Sequence, residues 1–515
     1  MSALFANIAE AKRNALALAD ENARYTWTEL DALLNRVINA FHALDLSAER
    51  RIAVFAPNSA ECVLSYLGCL LGGISSVPAN FHLTTDELDY ILQDSKAKVL
   101  LVGPETAEVG LAAATKAGVT QVIGWRCAGR TDLAHWEDVL TRASDSEPPS
   151  DVKPRPHLHY TSGTTGKPKA TETPPSYFPP APSVAGYAAI MRERAALLPS
   201  GPSLVVSPMY HTGPLTKVRS MVGGAPVVVV KGFDPEHVLE TIQRERIEGA
   251  VMVPTHFQRL LSLPADVRAK YDVSSMKRLA HTGAACPREV KKQMIEWFGP
   301  VLIEAYGGTE SGTTTMINSE DWLKRPGSVG KAAPPFEAVI YSEDGKPLPA
   351  NEVGLLYFRD TTGRGIIYHG DPEKTAAAHI APGVFTLGEM GYIDNEGYVF
   401  ITDRISDMVV SGGVNLYPAE VEHVLLQHEG VEDVAVIGVP NVEMGEELKA
   451  LIVLRNTGNP PSADVLNRFC REKLAGYKCP RSYEFLADIG RNAMGKVNKR
   501  DLRRPYWPTD RTIGG

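Results

Sequence analysis

Tyr160-Thr-Ser-Gly-Thr-Thr-Gly-Lys-Pro-Lys169 is the most informative stretch of the chain. Every residue from Thr161 to Gly166 is either glycine or carries a hydroxyl. Such a run suits a loop whose backbone N–H groups and hydroxyls converge on phosphate oxygens. Gly163 and Gly166 let the backbone approach an anion closely, and Lys169 adds positive charge. The pattern is not G-x-x-x-x-G-K-S/T, because Gly166-Lys167 is followed by Pro168 rather than a hydroxyl. A plain Ser/Thr/Gly surface loop is the bland alternative.

Around this loop, strand and helix signals alternate. Arg51–Phe55, Lys98–Val102 and Gln121–Trp125 are short β-branched runs, and Leu111–Ala117 reads as a helix between two of them. Cys62–Val77 reads as one buried core helix, its serines and glycines and Pro78 arguing against a membrane span. Pro226–Val230 has the apolar run of a strand buried on both faces, and Asp234 is placed to cap the helix that follows. The alternation predicts an α/β fold with largely parallel sheets. The proline-rich Ser146–Pro156 reads as a connection between subdomains. Beyond about residue 335 the texture becomes short β segments with turns, including a hairpin over Tyr392–Ile401. A compact α+β unit follows Arg404, with helices from Pro418 and Ser462 and strands at Val434–Gly438 and Ala450–Leu454.

Composition excludes several classes of function. At 515 residues the chain allows roughly three domain-sized units, and 44% apolar with 22% charged residues is ordinary for a globular protein. A net charge of −8 disfavours binding to nucleic acid. The six cysteines include no C-x-x-C pair, so free thiols in a reducing, cytoplasmic setting are expected rather than zinc or disulfides. Met1 to Asn14 contains no apolar signal segment.

The Tyr160–Lys169 string resembles the phosphate loop of the adenylate-forming superfamily: acyl-CoA synthetases, luciferases and non-ribosomal adenylation domains. Further segments in the matching order extend the resemblance from about Tyr25 to Arg503, and it looks nearest to stand-alone bacterial acid–CoA ligases. The implied fold is a large N-terminal domain, 1–405, of packed α/β and β subdomains, with a small mobile α+β lid, 406–515. By resemblance, Thr161, Ser162, Gly163, Thr164, Thr165, Gly166, Lys169 and Thr309 bind ATP phosphates, and Glu310 binds magnesium. Thr282-Gly-Ala-Ala-Cys286 looks like the adenine-side loop, giving Gly283, Ala284 and Ala285. Tyr306 would stack on adenine beside Gly307, with Glu389 and Arg404 on the ribose side. His211 would stand beside the substrate carboxylate. Lys496 would neutralise charge as that carboxylate attacks the α-phosphate, a reaction that needs positioned cations rather than a nucleophilic side chain. The resemblance further implies that the lid turns on a hinge at Ser406 or Asp407. It would then bring Gly412 and Gly413, which leave room for a pantetheine arm, to the acyl-adenylate. The same glycines also suit a turn before the Pro418 helix.

Departures from the family pattern are Ala170 for glycine, Glu389 for aspartate, Leu387 for threonine and Ser406 at the hinge. Prolines in Thr173–Pro182 break the helix expected after the phosphate loop and suggest an acyl-pocket wall or a mobile flap. Tyr210, Phe257, Gly308 and Gly312 are the candidate acyl-pocket residues. Lys217 either meets a polar group on the substrate there or is solvated. The glycines leave volume for a hydrophobic acid: aryl, alicyclic, steroidal or fatty. CoA is the expected acceptor, with an amine, as in coronafacate-ligase-like amide synthetases, as the alternative. A monomer or homodimer without a membrane span is expected.

Overall fold

A nine-stranded sheet forms the centre of the molecule. In spatial order its strands are Lys331–Ala332, Gly312–Asn318, Leu302–Gly308, Arg278–His281, Gly249–Met252, Ser203–Val205, Val227–Val229, Leu16–Ala19 and Arg24–Thr26. The run from Leu302–Gly308 to Leu16–Ala19 is parallel, and antiparallel pairs flank it. The computed structural model describes residues 8, 10–161, 168–342, 344–404, 407–411, 414–442, 444–455, 460–492 and 495–507.

The expected parallel architecture is present. Val227–Val229 is buried throughout, as its continuous apolar run demands. A second sheet, Ser75–Pro78, Arg51–Phe55, Val99–Val102, Gln121–Gly124 and Ala134–His135, is parallel throughout. Asp234 accepts from the His237 amide and caps the helix Pro235–Glu245, as its position predicts. The expected helix over Cys62–Val77 is instead two elements. A helix covers Ala60–Leu71, Gly73 turns the chain at φ +65°, and Ser75–Pro78 is a strand. The Leu111–Ala117 helix begins earlier, at Ala107.

Beyond residue 335 the β-rich texture folds as an antiparallel sheet of Phe336–Tyr341, Gly354–Asp360, Val384–Ile393, His379–Ala381 and Val399–Arg404. From Val409 onward a separate sheet packs against the helices Pro418–Leu425 and Ala463–Lys473 around its own core, which includes Val421, Leu425, Ile452 and Leu466. Among the described residues all six cysteines are free, five of them buried. No described helix is long and apolar enough to cross a membrane.

The proline-rich tract packs as a wall. Thr173, Phe178 and Ala181 are buried, Phe178 stacks on Tyr187 at 4.8 Å, and the next helix waits until Val184, capped by Ser183.

Candidate active site

Parallel strands leave their loops together at the carboxyl edge, where open α/β sheets bind ligands. Here that edge gathers Ser207–His211, Thr282–Ala285 and Tyr306–Glu310, which follow or end three strands of the central sheet. His211 opens the helix Thr212–Ser220, with its ring 4.3 Å from that of Tyr210. Burial, reinforced by the charge of Lys496, pulls the His211 pKa down to about 3, so the imidazole is neutral at physiological pH. One residue on, the Thr212 hydroxyl donates to Thr309 Oγ1 at 3.4 Å.

Lys496 comes from the C-terminal unit, yet its charge is felt at His211. The turn that carries it is tightly held. The Lys496 amide donates to Asn492 Oδ1 at 3.0 Å, and Arg491 Nη1 donates to the Gly495 carbonyl at 2.8 Å. Arg491 also forks onto Asp433 with contacts of 2.6 and 2.7 Å. Gly495 has φ +71°, and a Cβ there would lie 2.6 Å from Thr255 Cγ2. Thr255 belongs to the helix Pro254–Ser262, beside the carboxyl edge. A bare glycine backbone therefore seats the lysine turn directly on the N-terminal body.

The expected nucleotide-side residues cluster as well. The Tyr306 hydroxyl donates to Glu389 Oε2 at 2.6 Å, a contact the longer glutamate reaches from a neighbouring sheet. Arg404 lies opposite Glu389 in strand register. Gly307 sits at a bulge where a Cβ would fall 1.9 Å from the Gly312 carbonyl oxygen. Gly283 has φ +90°, and Ala285 is exposed.

Two partners of the expected phosphate and metal residues have no signal in the sequence. Lys169 is paired with Asp371 at 2.6 Å, and Asp371 also caps Pro372–Ala377 through the Lys374 amide. Glu310 accepts from the Tyr368 hydroxyl at 3.1 Å, while the Lys374 ammonium lies 3.7 Å from the centre of the Tyr368 ring. Among the described residues no group of three or more His, Cys, Asp or Glu could hold a metal. Glu310 is a single carboxylate of the kind that shares magnesium with substrate phosphates, so it fits that ion.

Ser162, Gly163, Thr164, Thr165, Gly166, Ser406, Gly412 and Gly413 lie outside the described residues. Thr161 ends the strand before the expected phosphate loop and pairs with Lys169 on the antiparallel strand Lys169–Glu172. Asp407 bonds Arg503 at 3.3 Å. Ser411 and Val414, on either side of the two glycines, line a cavity of about 130 Å³ with Met444, Tyr477 and Arg481.

The candidate acyl-pocket residues separate. A Cβ on Gly312 would lie 2.3 Å from Ser176 Oγ, and the Tyr177 hydroxyl is 3.2 Å from Thr313 Oγ1, so the proline-rich tract abuts the Gly308–Gly312 turn. Phe257 departs from expectation. It is fully buried, edge-on to His281 at 5.4 Å, in the core on the other face of the sheet. Lys217 points away from His211, toward Gly249 and Ser203 at the amino ends of their strands.

The AMP-binding enzyme profile matches residues 5–365, and that of the AMP-binding enzyme C-terminal domain matches 420–496. The chain belongs to the AMP-binding enzyme family. Among relatives of this AMP-binding enzyme, a long-chain-fatty-acid–CoA ligase, FadD13 of Mycobacterium tuberculosis, is 34% identical over 499 residues, covering 94% of each chain. A feruloyl-CoA synthase of an Amycolatopsis species is 31% identical over 504 residues and 96% of each chain. The crystal structure of ATP-bound MatB from Rhodopseudomonas palustris superposes with a TM-score of 0.81 at 28% identity, over 98% of this chain and 99% of that one.

Proposed function

We propose that this AMP-binding enzyme activates a carboxylic acid with an apolar body on ATP and transfers the acyl group to CoA, releasing AMP and pyrophosphate. The observation that carries the reading is Lys496, held in a turn seated on Thr255, with its charge acting at His211. Carboxylate attack on an α-phosphate brings two anions together, and a fixed ammonium at that point lowers the barrier. His211, kept neutral, borders the carboxylate without forming an ion pair that would blunt its attack. Tyr306 and Glu389 orient the nucleoside, and Thr309 meets phosphate. Glu310 would hold magnesium, which when bound offsets charge on the pyrophosphate leaving group. Two domains with a hinge at Ser406–Asp407 let Lys496 withdraw after adenylation and the Gly412–Gly413 segment take its place. The cavity beside Ser411 and Val414 supports an acceptor path on the lid. CoA ligases among the relatives support CoA as acceptor.

The test supplies purified protein with ATP, magnesium and a panel of acids, with CoA and amines as competing acceptors. Acyl-CoA formed only with CoA is the expected result, and amide formed without CoA would overturn the acceptor assignment. Lys496→Ala should slow acid-dependent pyrophosphate release by at least about a hundredfold. Near-normal release would overturn the role given to Lys496.

A further inference from the structure

The face of the central sheet beside the His211 helix is accessible where inner strands should be closed. Val251, Ala280 and Ile303 lie side by side in register on three neighbouring strands, and each keeps part of its surface accessible. Ala305, two residues beyond Ile303, does the same. The opposite face, with Leu279, Leu302 and Met252, is sealed in the core. The helix Thr212–Ser220 covers only one side of the open face: a Cβ on Gly213 would lie 3.7 Å from Val251 Cγ1. Taken as a binding cleft, this strip supplies a floor of Val251, Ala280, Ile303 and Ala305, and the helix supplies a wall. At the carboxyl end of the strands stand His211, Thr282 and Gly307.

Two cations stand at the other end. Lys217 Nζ would be 3.3 Å from a Cβ on Gly249, with Ser203 Oγ at 3.1 Å from the same point. Arg278 is the strand partner of Gly249, so its side chain rises on that face. Among the described residues neither side chain has a carboxylate partner. Glu248, next in sequence to Gly249, is committed to Lys277 at 2.5 Å and to the Gly201 amide at 2.8 Å. Burial, followed by repulsion from Arg278, lowers the Lys217 pKa to about 8, which still leaves it largely charged at neutral pH. Two unpaired cations closing an otherwise apolar cleft call for an anion.

We propose that the cleft takes an acid with a second carboxylate at its far end, held by Lys217 and Arg278. The span follows from the backbone. Six residues of helix from His211 to Lys217 rise about 9 Å. Four residues of strand from Arg278 to Thr282 span about 13 Å. The preferred acids are therefore dicarboxylic, with an apolar spacer of about 9–13 Å between the two groups. This inference rests on the function proposed above and specifies its substrate class.

The test compares octanoate and decanoate with suberate and sebacate in pyrophosphate release, using the full chain. The dicarboxylates should be preferred at least tenfold in kcat/KM. Lys217→Met and Arg278→Leu should each cut that preference at least tenfold, acting mainly through KM, and Lys217→Arg should retain it. Monocarboxylates turned over as well as dicarboxylates, or a preference unmoved in both Lys217→Met and Arg278→Leu, would overturn the proposal while leaving acid activation standing. Failure of every acid to release pyrophosphate would overturn both.

Discussion

Gly495 offers a way to perturb one half of the proposed reaction without touching a charged group. In Gly495→Ala the new Cβ would sit 2.6 Å from Thr255 Cγ2 and 3.0 Å from Thr255 Oγ1, at a residue whose φ is +71°. Holding a side-chain-bearing residue in the left-handed region costs about 1–2 kcal/mol. Overpacking at such a contact costs about 1–3 kcal/mol more. The overpacking falls only on the arrangement that seats the lysine turn on the N-terminal body, and the φ cost weakens the turn that presents Lys496 there, so the adenylating geometry loses at least about 2 kcal/mol, roughly thirtyfold in rate. The assay follows acid-dependent pyrophosphate release and, separately, acyl transfer from supplied acyl-adenylate to CoA. Release should fall about thirtyfold or more while transfer falls much less. Thr255→Ala in the Gly495→Ala background removes the clashing atoms but not the φ penalty, so it should restore about tenfold, relative to Thr255→Ala alone. An equal loss in both half-reactions, or no recovery in the double variant, would refute the reasoning.

Three further outcomes follow from other parts of the structure. Lys291 is 1% exposed and bonded to Glu304 at 2.5 Å, so Lys291→Met should destabilise by about 3–5 kcal/mol in urea unfolding. The pair Lys291→Met/Glu304→Gln should recover most of that loss, because no uncompensated charge stays buried. The histidines His159, His211 and His256 are each held down to a pKa of about 3, chiefly by burial. The unfolded chain binds their protons below pH 6.5 and the folded chain does not, so stability is full above that pH and is lost as pH falls toward 3. The slope should reach about 1.4 kcal/mol per pH unit for each histidine, and urea midpoints that stay constant from pH 7 to 5 would contradict it. Asp371→Ala removes both the Lys169 partner and a helix cap. It should cost about 1 kcal/mol of stability and raise the KM for ATP several-fold, readable by denaturation and by steady-state kinetics.

What could be read from the sequence was local. The Val227–Val229 strand, the Asp234 cap and the hairpin sheet beyond residue 335 each follow from a few neighbouring residues, and the ordered motifs place His211, Tyr306, Thr309 and Lys496 at one edge. The apolar run over Cys62–Val77 reads as one helix because a continuous apolar run does not say whether a helix or a buried strand follows Gly72-Gly73. Asp371 and Tyr368 are far in sequence from the residues they hold, and nothing in their immediate sequence marks them as partners. The direction of Lys217 depends on how its helix is rolled against Gly249 and Val251, a tertiary fact. Phe257 is a pocket candidate in the sequence, but its position on the helix Pro254–Ser262 turns it into the core.

The Arg491 fork has a consequence for timing. One guanidinium grips both Asp433, in the longest strand of the C-terminal sheet, and the backbone of Gly495, so the turn carrying Lys496 is an extension of that sheet rather than a loop free to swing by itself. Any displacement of the C-terminal sheet carries the ammonium with it as a rigid body. In the proposed reaction the carboxylate would then lose its countercharge in a single event rather than by gradual fraying, which would keep the two proposed steps from overlapping on one molecule. On the proposed mechanism, Arg491 would be the linkage that makes them consecutive.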